Sequence, residues 1–596
     1  MKSPLLIFSI LFCLTLNISA QYQVKSNNIL HPEINIDYVK NNADFWIRNA
    51  FDSQYGGFYS SISRTGAVIN TTQKSLISQT RHGYGFTRAF MLTGDETYLT
   101  YAQSALNFLY NYGWDNVNEG WFTFAKRDGT IDNRVGWNPN ATKWGFTQHY
   151  SLLGIVANYE ATNDLTAKSW IDKGMNVLNN KMWDVRSGFE GYYTDASYNW
   201  SSKSGKGFTP TVDGVTTHAE LLYLITQQND HKQKFMQLAD NIVDRFIVAM
   251  NDSRVKVLYP EEYSNDWVMV YKTNEGSVGH FVKTAWCLGR AYLCDTTRTQ
   301  YKNAAIRILN QAWNYQNGSV TIWDRVNGGP FNNINYASGT WGANGDSKDY
   351  WTVEQGFTAP MINYYITKNP IYLEMADQSI NFFMSHFIDK VNGEIYSQLD
   401  KTGTIIKNDT KGDDFKACYH SIELGYYAYL YSNLYYLHQP ASLFYKFAAS
   451  STAKSITLSP IPMEEGRLRI KSVTLDGEDF TNFDAVTRTL NLAANQGGKF
   501  KVTFESIADS PSAVASVANS RVALYPNPTF GLVNVDGVED ANAVSVYDVA
   551  GKMLLSNTIN GEAIFQINLQ QLKSGIYFLY IDMKSGLKMI RKIVKQ

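Results

Sequence analysis

Trp114-Asp115-Asn116-Val117-Asn118-Glu119-Gly120-Trp121 decides the fold, because it is one copy of a turn that the chain repeats. Phe51-Asp52…Gly56-Gly57-Phe58, Trp183-Asp184…Gly188-Phe189, Trp323-Asp324…Gly328-Gly329 and Ile388-Asp389…Gly393 share its order: a hydrophobic residue, Asp, a short variable stretch, then Gly. A degenerate copy starts at Asn251-Asp252, and the six copies stand 63 to 72 residues apart. A period of this size marks a repeat architecture, in which each unit buries its apolar face against the next.

Between the turns, helical periodicity runs through 74–93, 143–161, 213–228, 277–293 and 350–367. Each run stops at a polar turn such as Thr93-Gly94-Asp95 or Thr162-Asn163-Asp164, where Gly or Asn ends one helix and Asp or Thr caps the next. Second helices follow at 97–112, 165–182, 230–249, 297–314 and 370–387. Residues 36–50 and 414–437 supply one unpaired helix at each end, and pairing them completes a ring. The expectation is a mainly α protein, an (α/α)6 barrel over residues 30–438. An open α-solenoid is the alternative, and the two unpaired ends favour closure.

The chain opens with Met1-Lys2, an apolar run from Leu5 to Leu16, and the small-residue exit Ser19-Ala20. That pattern reads as a signal peptide over 1–20, too short to span a bilayer. No later apolar run is long enough to cross a membrane. Cys287, Cys294 and Cys418 remain beyond the signal, an odd number inside helical stretches, and read as small buried hydrophobes. The formal net charge is -1 and no long basic run occurs, which argues against nucleic acid as partner. Aromatic residues make up 14%, a content suited to carbohydrate, whose apolar faces and hydroxyl edges match aromatic-lined clefts.

After His438-Gln439-Pro440 the period changes from helical to alternating, as in Leu468-Arg469-Ile470 and Val473-Thr474-Leu475, with turns at Asp476-Gly477 and Gln496-Gly497-Gly498. Residues 441–506 therefore read as a small β-sandwich. A Ser- and Ala-rich linker, 507–520, leads to a second all-β domain, 521–596. There, Leu524-Tyr525-Pro526-Asn527-Pro528…Gly531, Val546-Tyr547-Asp548…Gly551-Lys552, Leu572-Lys573-Ser574-Gly575-Ile576-Tyr577 and Arg591-Lys592-Ile593-Val594-Lys595 occur in order. The module resembles the type IX secretion sorting domain of Bacteroidetes. The resemblance implies export through that machinery and a secreted or cell-surface location.

A barrel of this kind gathers the leading ends of its inner helices around one funnel. Polar residues at those ends are Gln79-Thr80-Arg81-His82, Lys143 with Gln148-His149, Thr217-His218-Ala219-Glu220, Gly279-His280 with Lys283, Trp351 with Glu354, and Lys416 with Tyr419-His420 and Glu423. The barrel resembles the N-acylglucosamine 2-epimerases, which include cellobiose 2-epimerase and mannose isomerase. Gly56-Gly57-Phe58-Tyr59, Gln79-Thr80-Arg81, Gly279-His280 before Ala285-Trp286, Tyr350-Trp351…Glu354 and Lys416…Tyr419-His420 carry the resemblance. It implies cofactor-free, metal-free proton transfer at C2 of a reducing sugar through an enediolate. His280 and His420 match the catalytic pair, Arg81 would stabilise the oxyanion, and His218 would help bind or open the ring. Trp351, Glu354, Lys283, Glu423, Tyr419 and Lys416 complete the expected substrate-binding set.

Two positions depart from the family pattern. Lys283 stands where the family has Glu, and Glu423 where it has Arg. Either the two form a swapped ion pair across the funnel, or His280 lacks an orienting carboxylate and the chemistry changes. A glycoside hydrolase using two of Glu220, Glu354, Asp414 and Glu423, a polysaccharide lyase, and a non-catalytic carbohydrate-binding barrel remain as other readings.

Overall fold

The computed structural model describes residues 22–131, 141–271, 274–407, 410–507, 522–548, 552–583 and 588–596. The expected signal peptide and the linker beyond Ile507 lie outside them. The chain divides into two compact units, Met1–Ser506 and Ile507–Gln596.

In the first unit the inner helices are Leu76–Thr93, Gly145–Thr162, 209–226, Val278–Cys294, Tyr350–Thr367 and 419–437. The outer helices are Ile34–Ala50, Glu96–Tyr112, 165–182, 229–247, Thr299–Asn314 and 370–387. Each inner helix packs on the next. The last packs on both Leu76–Thr93 and Ile34–Ala50, so the ring closes and the open solenoid is excluded. Inner helices are buried on every side, as the unbroken burial of Leu76 to Leu92 shows. Polar side chains on them must therefore find partners inside the protein.

The repeated turn supplies one such partnership. Asp115 Oδ1 accepts the N–H groups of Val117 and Asn118 at 2.9 and 3.0 Å, which folds the turn. Gly120 ends it at φ 82°, where a Cβ would come within 2.7 Å of the Trp200 ring. Lys143, just ahead of the next inner helix, then reaches back to Asp115 Oδ2 at 2.8 Å. Four more repeats do the same. Lys74 meets Asp52 at 2.9 Å, Lys206 Asp184 at 2.7 Å, Lys348 Asp324 at 3.0 Å and Lys411 Asp389 at 3.0 Å, all buried. Lys143 was expected at the funnel, and is instead a tie between repeats. Gln148 and Gln79 are ties too: each amide exchanges two hydrogen bonds with one backbone unit, that of Trp121 or Phe58. The degenerate repeat keeps its Asp but has no lysine at the pairing position. Asp252 bonds the exposed Arg254, and Gly276 stands two residues before the next inner helix, where Lys74, Lys143 and Lys348 precede theirs.

These pairs predict how the barrel meets acid. Burial works against the charge on Asp115, but Lys143 and the turn amides outweigh it and hold the carboxyl down to about 2. Asp52, Asp184, Asp324 and Asp389 are also held below the usual range against their burial. Burial meanwhile pulls the paired lysines down, so each pair is worth less than its Asp alone implies. A carboxyl with a lower folded pKa contributes stability that is full above the unfolded value of about 3.9 and disappears as pH falls through the folded one. Urea midpoints should therefore drop steeply between about pH 4 and pH 2, and Asp115→Asn should flatten that fall.

Inner helix 209–226 starts earlier than its periodicity predicts, with Pro210 in its first turn. It winds as π-helix over Thr209–Asp213 and Val215–Ala219 before tightening at Glu220–Thr226. The wider winding puts Asp213 inside the barrel, and π segments often mark functional sites.

Residues 441–506 form two antiparallel sheets. One holds Ala441–Phe447, Gly498–Ser506, Leu468–Leu475 and Glu478–Asp479; the other holds Lys454–Thr457, Thr489–Leu492 and Phe483–Asp484. Tyr445, Phe447 and Phe500 join the core of the barrel, and Lys499 Nζ donates to Gly94 O at 3.0 Å. The second unit is also two sheets. Ala523–Tyr525, Leu532–Asp536 and Ile564–Asn568 make one; Met553–Thr558, Ala541–Tyr547, Gly575–Met583 and Lys588–Lys595 make the other, around Val535, Val546 and Leu579.

Candidate active site

Ser277 caps helix Val278–Cys294, which places His280 in the first turn at the barrel mouth. Its ring is held on three sides. Phe208 stacks on it at 3.9 Å between centroids, Trp351 lies at 5.1 Å, and Nδ1 is 2.8 Å from Glu261 Oε2. Glu261 Oε1 also accepts the Ser277 N–H at 3.0 Å, so one carboxylate fixes both the helix start and the imidazole. With Nδ1 engaged, Nε2 is the ring atom left to meet a ligand. A cleft of about 530 Å³, lined by Phe208, Glu261, Ser277, Trp144 and Asn333, adjoins it.

His280 therefore does have an orienting carboxylate. It comes from the long connection of the degenerate repeat, not from the position that Lys283 occupies. Replacing Glu261 by Gln keeps the shape but loses the charge that supports an imidazolium. Turnover should fall about 100-fold with an unchanged unfolding midpoint, read by kinetics and thermal melts side by side.

His420 sits in the first turn of helix Tyr419–Tyr431. Its Nδ1 is 3.3 Å from Glu354 Oε2 and 3.7 Å from Glu423 Oε2. Tyr419 packs at 4.1 Å and Trp351 at 6.3 Å, so one indole neighbours both catalytic-candidate rings. Burial, then the charges of Arg81 and Lys283, hold His420 well below the usual imidazole range. Burial, then the neighbouring Glu423, hold Glu354 well above the usual carboxylate range, and burial raises Glu423 as well. Two buried carboxyls this close together disfavour carrying both negative charges at once.

Glu354, His420 and Glu423 offer ligand-capable atoms within 4.8 Å of one another. Their oxygens are largely taken by neutral donors. Thr358 Oγ1 bonds Glu354 Oε1 at 2.9 Å, Gln355 Nε2 bonds Glu354 Oε2, and Tyr84 OH bonds Glu423 Oε1 at 2.9 Å. Such a set suits proton sharing better than a divalent cation, which asks for free anionic oxygens.

Arg81 completes the corner. Its guanidinium lies 4.6 Å from the Tyr150 ring centroid and 5.4 Å from that of Tyr419, with Nη1 donating to Phe415 O. Nε is buried without a hydrogen-bond partner among the described residues.

Lys283 and Glu423 do not form the swapped ion pair that was one of the two accounts of their reversed charges. Lys283 Nζ bonds Asp213 Oδ1 at 2.7 Å, and Tyr150 OH bonds the same oxygen at 3.3 Å. Burial opposes the charge on Lys283, but Asp213 outweighs it and holds the ammonium above its usual range. The π-winding of helix 209–226 brings Asp213 there, and no reading of residue types along that helix flagged it.

Two further residues are placed away from the funnel. His218 is fully buried, with Nε2 3.0 Å from His149 Nδ1 and the two rings stacked. Burial drives it well below the usual imidazole range, and its contact with His149 places it in the wall of the barrel. Lys416 is buried as well, with Nζ on Ile395 O at 2.8 Å and Glu394 at 3.5 Å. It ties the segment before helix Tyr419–Tyr431 to the turn that follows Asp389. His82 and His149, both held down to about 3 by burial, are core residues of the same sort. Of the five histidines at inner-helix starts, only His280 and His420 remain for chemistry. Tyr419, Glu354, Lys283 and Glu423 form the layer behind them, and Trp351 is half-buried at the surface of the funnel.

The fold and this corner define an (α/α)6 barrel with two imidazoles at its mouth, each backed by carboxyl groups. Residues 57–423 match the N-acylglucosamine 2-epimerase family, and the chain belongs to that family. Residues 523–596 match the secretion system C-terminal sorting domain. The D-mannose isomerase of Marinomonas mediterranea is 21% identical over 401 residues, covering 65% of this chain and 93% of that protein. A cellobiose 2-epimerase of Bacteroides fragilis is 20% identical over 409 residues, covering 66% and 97%. The solved cellobiose 2-epimerase from Spirochaeta thermophila shares the fold with a TM-score of 0.57 at 19% identity, covering 68% and 98%. A crystal structure of D-mannose isomerase gives 0.57 at 21%, covering 67% and 97%.

Proposed function

We propose that the protein is a carbohydrate epimerase or aldose–ketose isomerase acting at C2 of a reducing sugar, with His280 and His420 moving the proton. The observation that carries this reading is the pair of imidazoles sharing Trp351, each with Nδ1 against a carboxyl group. A neutral imidazole, paired in this way, can accept a proton at Nε2 while its carboxyl partner stabilises the cation that forms.

In the open-chain sugar, one imidazole takes the proton from C2. The electron pair moves into the C1–C2 bond and onto O1, giving an enediolate and an imidazolium. Arg81, permanently charged and near His420, is suited to stabilise that oxyanion. A second imidazole that enters the step protonated delivers its proton to the opposite face of C2 to give the epimer; delivery to C1, with the O2 hydroxyl proton passing to O1, gives the ketose. No electrons leave the sugar, so the step balances without a redox partner.

Glu354 and Glu423 converge on one histidine, from one side of the site. A glycosidase instead sets its two carboxyls on either side of the scissile bond. The sorting domain supports export by the type IX machinery to the surface or the medium, where the substrate is met.

Incubation with reducing mono- and disaccharides, followed by product analysis, tests the reading. The expected products are a C2 epimer or a ketose with the total of reducing ends unchanged. New reducing ends, or an absorbing unsaturated product, would assign the barrel to hydrolysis or elimination.

A further inference from the structure

One connection of the barrel is built unlike its counterparts. After three outer helices the Asp turn follows directly: Ala50 runs into Phe51-Asp52, Met182 into Trp183-Asp184, and Phe387 into Ile388-Asp389. After Thr299–Asn314, residues 315–322 intervene before Trp323-Asp324. They fold as a hairpin, Gln316–Asn317 against Val320–Thr321. Tyr315 OH and Asn317 Nδ2 each donate to Gly339 O at 3.0 Å, which pins the hairpin to the loop before Trp341.

A cleft of about 730 Å³ lies between hairpin, turn and loop. Trp313, Tyr315 and Trp341 present half-buried rings to it, and Asn314, Ser319 and Asp346 bring exposed polar groups. Arg325 braces Trp313 from 4.2 Å, and Phe331 braces Trp341 edge-on at 5.0 Å, so the rings are held in place without ligand. Both signs of charge occur around the rim, in Arg325 and Lys401 against Asp346, which gives no strong field of one sign. Rigid rings beside amide and hydroxyl groups, in a space of ligand size, fit a pyranose: apolar C–H face on the ring, hydroxyls on the rim.

The position adds to this. Strand Asn333–Asn335 pairs with Glu275–Ser277, which leads into the helix of His280. Asn333 and Tyr336 line the cleft beside His280, while Phe331 and Trp341 line the outer one. A single loop separates the two. We propose that the outer cleft is a second, non-catalytic site that binds a neutral oligosaccharide beside the barrel mouth.

Isothermal titration of the full chain with neutral gluco- and manno-oligosaccharides of four units tests this. Trp341→Ala removes one platform, and Ser319→Arg fills the space from an exposed hairpin position without touching the core. Both should weaken binding of a four-unit chain at least tenfold and leave kcat/KM on a monosaccharide unchanged. Unchanged affinity in both variants, or no binding of any probe by the wild type, overturns the proposal. Oligosaccharide binding that is lost in both variants, in a protein without turnover, would refute the catalytic reading alone.

Discussion

Alanine at His280 should lower kcat/KM for sugar C2 chemistry by about 10²–10⁴-fold, and Asn at His420 should do the same. His280 is partly exposed and stacked, so its removal leaves the fold intact and the loss is chemical. His420 is different: with the ring gone, two buried carboxyl groups lose their shared partner, and Asn keeps a donor there for Glu354. The pair should also be non-additive, since neither imidazole can complete the transfer without the other. Kinetics of the two single variants and the double variant, with thermal melts alongside, give both readings. Retention of full turnover by either single variant contradicts the assignment.

The largest effect on stability should come from Lys283→Met. The substitution leaves Asp213 charged and buried with Tyr150 as its remaining bonded neighbour. Breaking a buried pair from one side costs about 3–5 kcal/mol. Lys283→Met combined with Asp213→Leu removes both charges and should recover most of that loss, because apolar replacement of a buried pair is often neutral. Urea unfolding measures the difference. A single variant as stable as the wild type would mean that Lys283 is not held by Asp213 in solution.

The barrel was legible because its turns repeat. A hydrophobic residue, Asp and Gly in five of the six units announce the ring, and periodicity places the helices within a few residues. Helix 209–226 began early because Pro210 and the π-winding shift its start, and neither alters the apolar pattern that marks the helix. The two histidines were legible as a resemblance, but their support was not. Glu261 lies 19 residues before His280 in an aperiodic connection, and only the folded chain brings it to Nδ1. Lys143, His218 and Lys416 show the same ambiguity. Polar residues at inner-helix ends look alike in sequence, whether they face the funnel or tie one repeat to the next. The reversed charges at Lys283 and Glu423 invited a direct pairing, while Asp213 and Tyr84 were the partners the fold supplied.

Proton NMR of a reducing sugar incubated with the enzyme in D2O tests the central claim most directly. Exchange through an imidazole predicts deuterium entering at C2, with the signal of the C2 proton fading in the wild type and persisting in His280→Ala. A sugar turned over with its C2 proton retained would contradict the account.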